Sequence, residues 1–454
     1  MKTTFDRSQI PQAQKPRTFY FPEFDRFKLS NGLEIVFARH EKLPILAFQL
    51  VINSGANFDD SGKEGLASFV SDLIPEGTTT KSSFDFSHAL EDLGTQFSTH
   101  ADWNGAFLEM IAIKKQLQPS IDLLCDALFN PAFDKDEIER TRKRLLNQRL
   151  RIADNAGSIA HEKFAEEIYG KTRYGIPVSG NSRQIKQFSQ DDVLSFYKKA
   201  YQPQNATLII VGDLTTAEAK KLAEENFGKW QNTVLYKITE PQFSLNEQQK
   251  LFLVHKENAQ QAEIRIGHLG VDRSNPDYFS VALLNQILGG YFLSRINLNL
   301  REDKGYTYGV SSRFITRKAL GVFMVNTAVE TKFAIDSVKE IIKEIENIQQ
   351  EMVSDEELEQ AKGYLAGIFP LAFESGSQIA AGLSNITVFN LEDDYYRTYR
   401  DKIAAVTKEQ VWEAAKKYLH PQKLSIVVCT DKNHVEAEFE KNFDVEVSIY
   451  KKEK

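Results

Sequence analysis

Cysteine is almost absent from the chain. Cys125 and Cys429 are the only two in 454 residues, too few for a disulfide framework or a cysteine-based zinc ribbon, and compatible with either redox compartment. No apolar run is long enough to span a bilayer. The longest, LPILAFQLVI at 43–52, is rich in β-formers and predicts a buried strand. The opening MKTTFDRSQIPQAQKPRTFYFP lacks the apolar stretch of a signal peptide, and its Pro and Gln content predicts an extended arm over residues 1–22. Basic charge is not in excess. A net charge of −7, with no Lys/Arg stripe interleaved with aromatics, excludes a nucleic-acid partner. The eight histidines include no pair at i, i+3 or i, i+4, and Gly289-Gly290 lacks the spacing of a nucleotide fingerprint. Neither a helical His-pair metal site nor a nucleotide cofactor is expected.

What is present is ordinary globular composition, 42% hydrophobic and 26% charged, at a length that predicts two cores rather than one. The chain also repeats itself. FDKDEIERTRKRLLNQ from Phe133 has a counterpart in VSDEELEQAKGYLAG from Val353, each an acidic first turn followed by a helix. SQDDVLSFYKKAYQPQNATLIIVGD from Ser189 pairs with TKEQVWEAAKKYLHPQKLSIVVCTD from Thr407, and QPSIDLLCDALFNP with FAIDSVKEIIKEIENI. The offset, about 218 residues, is too long for a solenoid unit and indicates duplication of a whole domain. We therefore expect an arm (1–22), a first domain (23–230), a polar Pro-containing linker (231–249), a second domain (250–447) and a tail (448–454). Strand patterns beside long helices predict an α+β fold in each half: a mixed, mainly antiparallel sheet with helices packed on one face.

The stretch GLASFVSDLIPEGT, 65–78, carries the first functional signal. Leu66, Phe69, Val70, Leu73 and Ile74 form a helical apolar stripe, which leaves Ser68, Ser71 and Asp72 together on the other face at i, i+3, i+4. In the pattern H-x-x-E-H those three places hold two zinc-binding imidazoles and a glutamate that polarises the metal-bound water. Two hydroxyls and one carboxylate are a poor substitute, so this face is not expected to bind zinc.

In its frame, G-L-A-x-F-x-x-x-L-x-x-x-G-T, the stretch resembles the pitrilysin/insulinase family of zinc peptidases. FKLSNGLEIVFARHEKLPILAFQLVINSGANFDD is similar to that family's first two strands, and NPAFDKDEIERTRKRLL to its long mid-domain helix. The resemblance implies a third metal ligand, a glutamate, on that helix, and its frame falls on Gln148. All four positions, Ser68, Ser71, Asp72 and Gln148, depart from the family pattern.

LGGYFLSRINLNLREDKGYTYGVSS from Leu288 resembles the segment carrying the family's Arg/Tyr pair, here Arg301 and Tyr308. It predicts a helix ending near Arg301, a turn at Gly305 and a strand beginning with alternating tyrosines, on which Tyr306 shares the face of Tyr308 as a neighbour. The resemblance implies that Arg301 and Tyr308 hold the substrate backbone near the scissile bond, opposite a zinc site supplied by another chain. It further implies a non-catalytic, substrate-binding subunit of a heterodimeric zinc endopeptidase acting on unfolded peptides, with no zinc of its own and a homologous zinc-bearing partner. A scaffold subunit, like the core proteins of respiratory complexes, and a stand-alone peptide-binding module using a sheet edge are the alternatives. Starts like DRSQIPQ in similar proteins favour a periplasmic address, with a leader absent from this sequence, over a cytoplasmic one.

Overall fold

Residues 18–231 and 247–449 are described by a computed structural model; most of the expected arm, linker and tail lies outside them. Strands β1 (Phe24–Lys28), β2 (Glu34–Arg39), β3 (Ile45–Ile52), β4 (Gln96–Ala101), β5 (Ala106–Ile113) and β6 (Ala206–Gly212) form one sheet in the order β1-β2-β6-β3-β5-β4. Strands β7 (Lys250–His255), β8 (Gln261–Leu269), β9 (Val310–Ile315), β10 (Val322–Glu330), β11 (Ser425–Thr430) and β12 (Val445–Ile449) form the second, in the order β12-β7-β11-β8-β10-β9. The run β2-β6-β3-β5-β4 has the same order and directions as β7-β11-β8-β10-β9, with β2/β6 and β7/β11 parallel and the other pairs antiparallel. The duplication read from the sequence is thus a duplication of topology. Only the sixth strand differs: β1 enters before β2 and pairs antiparallel, whereas β12 follows β11 and pairs parallel with β7.

The apolar run at 43–52 becomes β3, buried along nearly its whole length because both faces of the sheet are covered. In β2 the period-two alternation sends Ile35 and Phe37 into the core beneath the first half's own helices, and Val36 and Ala38 to the opposite face. That opposite face is covered by a helix borrowed from the second half, Gly376–Phe389, through Ile379, Leu383 and Ile386. The exchange is reciprocal. Helix Ala156–Tyr169 of the first half lays Phe164 and Ile168 against Phe252, Val254 and Cys429 of the second sheet. Helices lie on one face of each sheet as expected, and this exchange adds one helix on the other. Among the described residues no helix is long and apolar enough to cross a membrane.

The halves are also clasped by Arg317, between β9 and β10. Its guanidinium lies 4.6 Å from the Trp103 ring, 4.9 Å from Tyr169 and 5.1 Å from Tyr174, all first-half residues, and burial lowers its pKa.

In the second sheet His268 is buried, its Nδ1 2.7 Å from the Leu269 carbonyl while Nε2 accepts the His420 backbone N–H at 3.1 Å. That pattern fixes a neutral imidazole with the proton on Nδ1. Burial pushes its pKa down from 6.5 to about 4. Between those values the unfolded chain holds a proton that the folded chain refuses. The group's contribution is therefore fully present above pH 6.5 and lost as pH falls towards 4, by about 3 kcal/mol. Urea midpoints from pH 7 to 4.5 should fall less steeply for His268→Gln than for the unsubstituted chain. Identical slopes would remove His268 from the acid response.

Candidate functional site

The helix Leu66–Leu73 starts at Gly65, whose φ of +101° lies in the left-handed region. A Cβ there would stand 2.5 Å from the Ser179 carbonyl oxygen and 2.6 Å from the Gly180 nitrogen, so only glycine fits. With no side chain at the cap itself, Asp59 takes its place and accepts the backbone N–H groups of Gly65 and Ala67, each at 2.7 Å. Arg173 donates to Asp59 Oδ2 from Nη2 at 2.8 Å and Nε at 3.1 Å, and its other donors reach the carbonyls of Ile176, Pro177 and Val178. Burial pushes the Asp59 carboxyl up to about 6 against the opposing pull of Arg173 and the two amides.

On this helix Ser68 is half-buried, whereas Ser71 is fully buried, at 0% exposure. The expected polar face is therefore interrupted at Ser71. Helix Gln190–Ala200 and the following Tyr201 pack against that side, and Thr99 of β4 donates to the Ser71 carbonyl at 2.7 Å. The Ser71 and Tyr201 hydroxyls adjoin one another, yet neither has a regular hydrogen-bond partner. Asp72 is half-buried, its Oδ2 3.3 Å from Arg144 Nη2; burial raises its pKa against the attraction of that guanidinium. Arg144 belongs to helix Lys135–Asp154, which also carries Gln148 one turn further on, exposed. Arg140, one turn earlier, donates to Glu76 at 2.7 Å and Ser83 at 3.0 Å.

The structure thus places Ser68, Ser71 and Asp72 on one helix, with Arg144 rather than Gln148 reaching across to them. Arg144 was not among the expected site residues. The available signal was its position, four before Gln148 and hence on the same helix face. A cation already neutralises Asp72, one hydroxyl is sealed in the interior, and the remaining donors are a hydroxyl and an amide. This set does not fit zinc. Among the described residues no group of three or more His, Cys, Asp and Glu gathers as a metal site.

A restored set, Ser68→His, Ser71→Glu, Asp72→His and Gln148→Glu, is expected to bind zinc only weakly, because the Arg144 cation remains beside it. Adding Arg144→Ala should strengthen binding by about tenfold or more, the equivalent of removing ~1.4 kcal/mol of repulsion. Zinc titration of the two variants checks this; equal affinities would show that Arg144 does not oppose zinc at these positions.

In the second half Arg301 lies in a π-helical turn, Leu298–Asp303, and Gly305 follows at φ +65°. The Arg301 guanidinium stands 4.3 Å over the Phe292 ring, with Nε 3.4 Å from Glu302. The tyrosines, however, do not begin a strand, since β9 starts only at Val310. Thr307 anchors this loop: its hydroxyl lies 2.8 Å from the Ala328 carbonyl and accepts the Gly309 N–H at 3.1 Å. The two tyrosines therefore diverge. Tyr306 stacks on Phe333 at 4.5 Å, whereas Tyr308 is 95% exposed.

Comparison with known proteins gives the same outline. Residues 35–182 match the family description "Insulinase (Peptidase family M16)" and residues 187–365 match "Peptidase M16 inactive domain". The chain is 22% identical to Uncharacterized zinc protease YmxG of Bacillus subtilis, over 77% of this chain and 84% of that protein. It is 21% identical to Non-peptidase homolog YmxG of Helicobacter pylori, over 88% and 92% respectively. A solved peptidase M16 inactive domain from Pseudomonas fluorescens superimposes with a TM-score of 0.84 at 25% identity, covering 90% of this chain and 98% of that one. A Helicobacter pylori protease structure gives the same TM-score at 19% identity, covering 90% and 100%, and shares the fold. The names of these relatives pull in opposite directions on activity, so the side chains at the motif positions must decide.

Proposed function

The chain belongs to peptidase family M16, the insulinase family, and from that premise we propose that it is a non-catalytic, substrate-holding subunit, completing a zinc endopeptidase only with a homologous second chain that carries an intact H-x-x-E-H motif. One contrast carries the reading. The four motif positions have become a buried hydroxyl, a half-buried hydroxyl, an ion-paired carboxylate and an exposed amide, while Arg301 and Tyr308 stand where a ligand can reach them. A guanidinium offers charge-assisted hydrogen bonds to peptide carbonyls, and a phenol offers a donor to oxygen that gains negative charge as water attacks. The zinc, the activated water and the general base belong to the partner; this chain binds and orients unfolded peptide.

The test is co-expression with a family member bearing H-x-x-E-H, followed by mass and zinc determination of the purified assembly. A 1:1 complex with zinc confined to the partner supports the proposal, and failure to assemble with any such partner removes it. A stand-alone peptide-binding module is the second reading, favoured by one observation: β4 ends its sheet, and its outer edge pairs with no strand among the described residues.

A further inference from the structure

We propose that the groove on the back of the first sheet, beside the open edge of β4, is a pocket for large apolar side chains of an extended peptide, and so selects which peptides the chain holds. This rests on the peptide-holding reading above and adds a specificity site to it. Along β4 exposed and half-buried residues alternate: Gln96, Ser98 and His100 are exposed, while Thr99 reaches the motif helix on the front. Helix Gly376–Phe389 covers β3, β6 and Phe107 of β5 on the back, while Glu109 and Ile111 stay half-buried and Gln96 and Ser98 of β4 exposed. Two hollows remain there, about 420 and 300 Å³, which share Ala47, Gln96, Ile111 and Ser377. Together they match the ordinary size of ligand clefts, about 300–1,000 Å³.

Most of the surface in both hollows is apolar, with His40, Lys42 and Glu374 at the margin of the smaller one. Leu43 is 61% exposed and Ile45 38% at one end, and the Ala47–Ile111 cross-strand pair forms the floor. The one carboxylate in the larger hollow, Glu109, is already engaged by Gln49 Nε2 at 2.9 Å and Ser98 Oγ at 3.4 Å. The duplication supplies an internal comparison. The corresponding hollow beside β9 is lined by Glu263, Arg265, Ser311 and Asn326, and the pair matching Ala47–Ile111 is Glu263–Ala328. The same backbone position thus carries a carboxylate in one half and an apolar pair in the other, so the apolar floor is not demanded by the fold. A peptide that adds to β4 gains main-chain hydrogen bonds of any sequence, and sends every second side chain to the back, at the mouth of this groove.

The experiment is fluorescence anisotropy of the full chain with two labelled nine-residue peptides, one with Leu at alternate positions and one with Ser there. The Leu peptide should bind at least tenfold tighter. Ser377→Trp and, separately, Ala381→Trp place a ring in the groove from exposed helix positions; each should abolish the difference by weakening the Leu peptide alone. Equal affinity for both peptides, or Leu-peptide binding unchanged in both Trp variants, overturns the groove while leaving peptide holding intact. Binding of neither peptide overturns the peptide-holding reading and the groove with it. A change in oligomeric mass on Ser377→Trp, with peptide affinities unaltered, assigns the groove to a second copy of the chain and also overturns the proposal.

Discussion

In the proposed two-chain peptidase, Tyr308→Phe is expected to lower kcat by about 10²- to 10³-fold, the effect of deleting one donor aimed at developing negative charge. The exposed phenol makes this a clean substitution: Tyr308 supports no core, so removing its hydroxyl should leave folding and assembly unchanged. A donor engaged mainly in the transition state affects kcat and kcat/KM together. Arg301→Ala should behave differently. Its guanidinium rests against Phe292, and in the proposed role it would hold substrate carbonyls before water attacks, so its loss should raise KM as well as lower turnover. Steady-state kinetics on the reconstituted pair, with light scattering to confirm assembly, separates the two. Unchanged kinetics in both variants would leave only the scaffold reading.

The second large effect concerns stability. Asp59→Ala is expected to cost about 3–5 kcal/mol, because it strands the Arg173 guanidinium in the interior and uncaps the motif helix at the same time. The urea midpoint measures it, and a loss under about 1 kcal/mol would show that water or a shifted Arg173 replaces the carboxylate. The pH response of this group has the opposite sign to that of His268. Its folded pKa, about 6, lies above the ordinary value of 3.8. The folded chain therefore takes up a proton first, and this group's contribution grows as pH falls from 6 to 3.8. Asp59→Asn should remove that contribution while retaining a side-chain acceptor for the helix amides.

Features written in local pattern were legible in the sequence. Capped helices and apolar strands recurring at one offset predicted two like domains, and both sheets repeat a five-strand order. The departure of Ser68, Ser71 and Asp72 from the H-x-x-E-H pattern could be read without the fold because a helical frame fixes their relative positions. Helical period alone, however, says which residues share a face and not what packs on it, so the burial of Ser71 beneath Tyr201 was not foreseeable. Alternation likewise suggested a strand at Tyr306–Tyr308, but anchoring of Thr307 to the Ala328 carbonyl holds that segment as a loop. The exchange of helices Ala156–Tyr169 and Gly376–Phe389 between halves is a long-range choice. The pattern of neither helix names the sheet it covers, and in the fold each covers the other half's.

The most direct test of the central claim is a titration of peptide turnover, adding this chain to a fixed amount of the zinc-bearing partner. No turnover is expected from this chain alone, and in the titration a rise that reaches its plateau at one chain per partner. Chelator-sensitive hydrolysis by this chain by itself, with about one zinc bound per molecule, would contradict that claim.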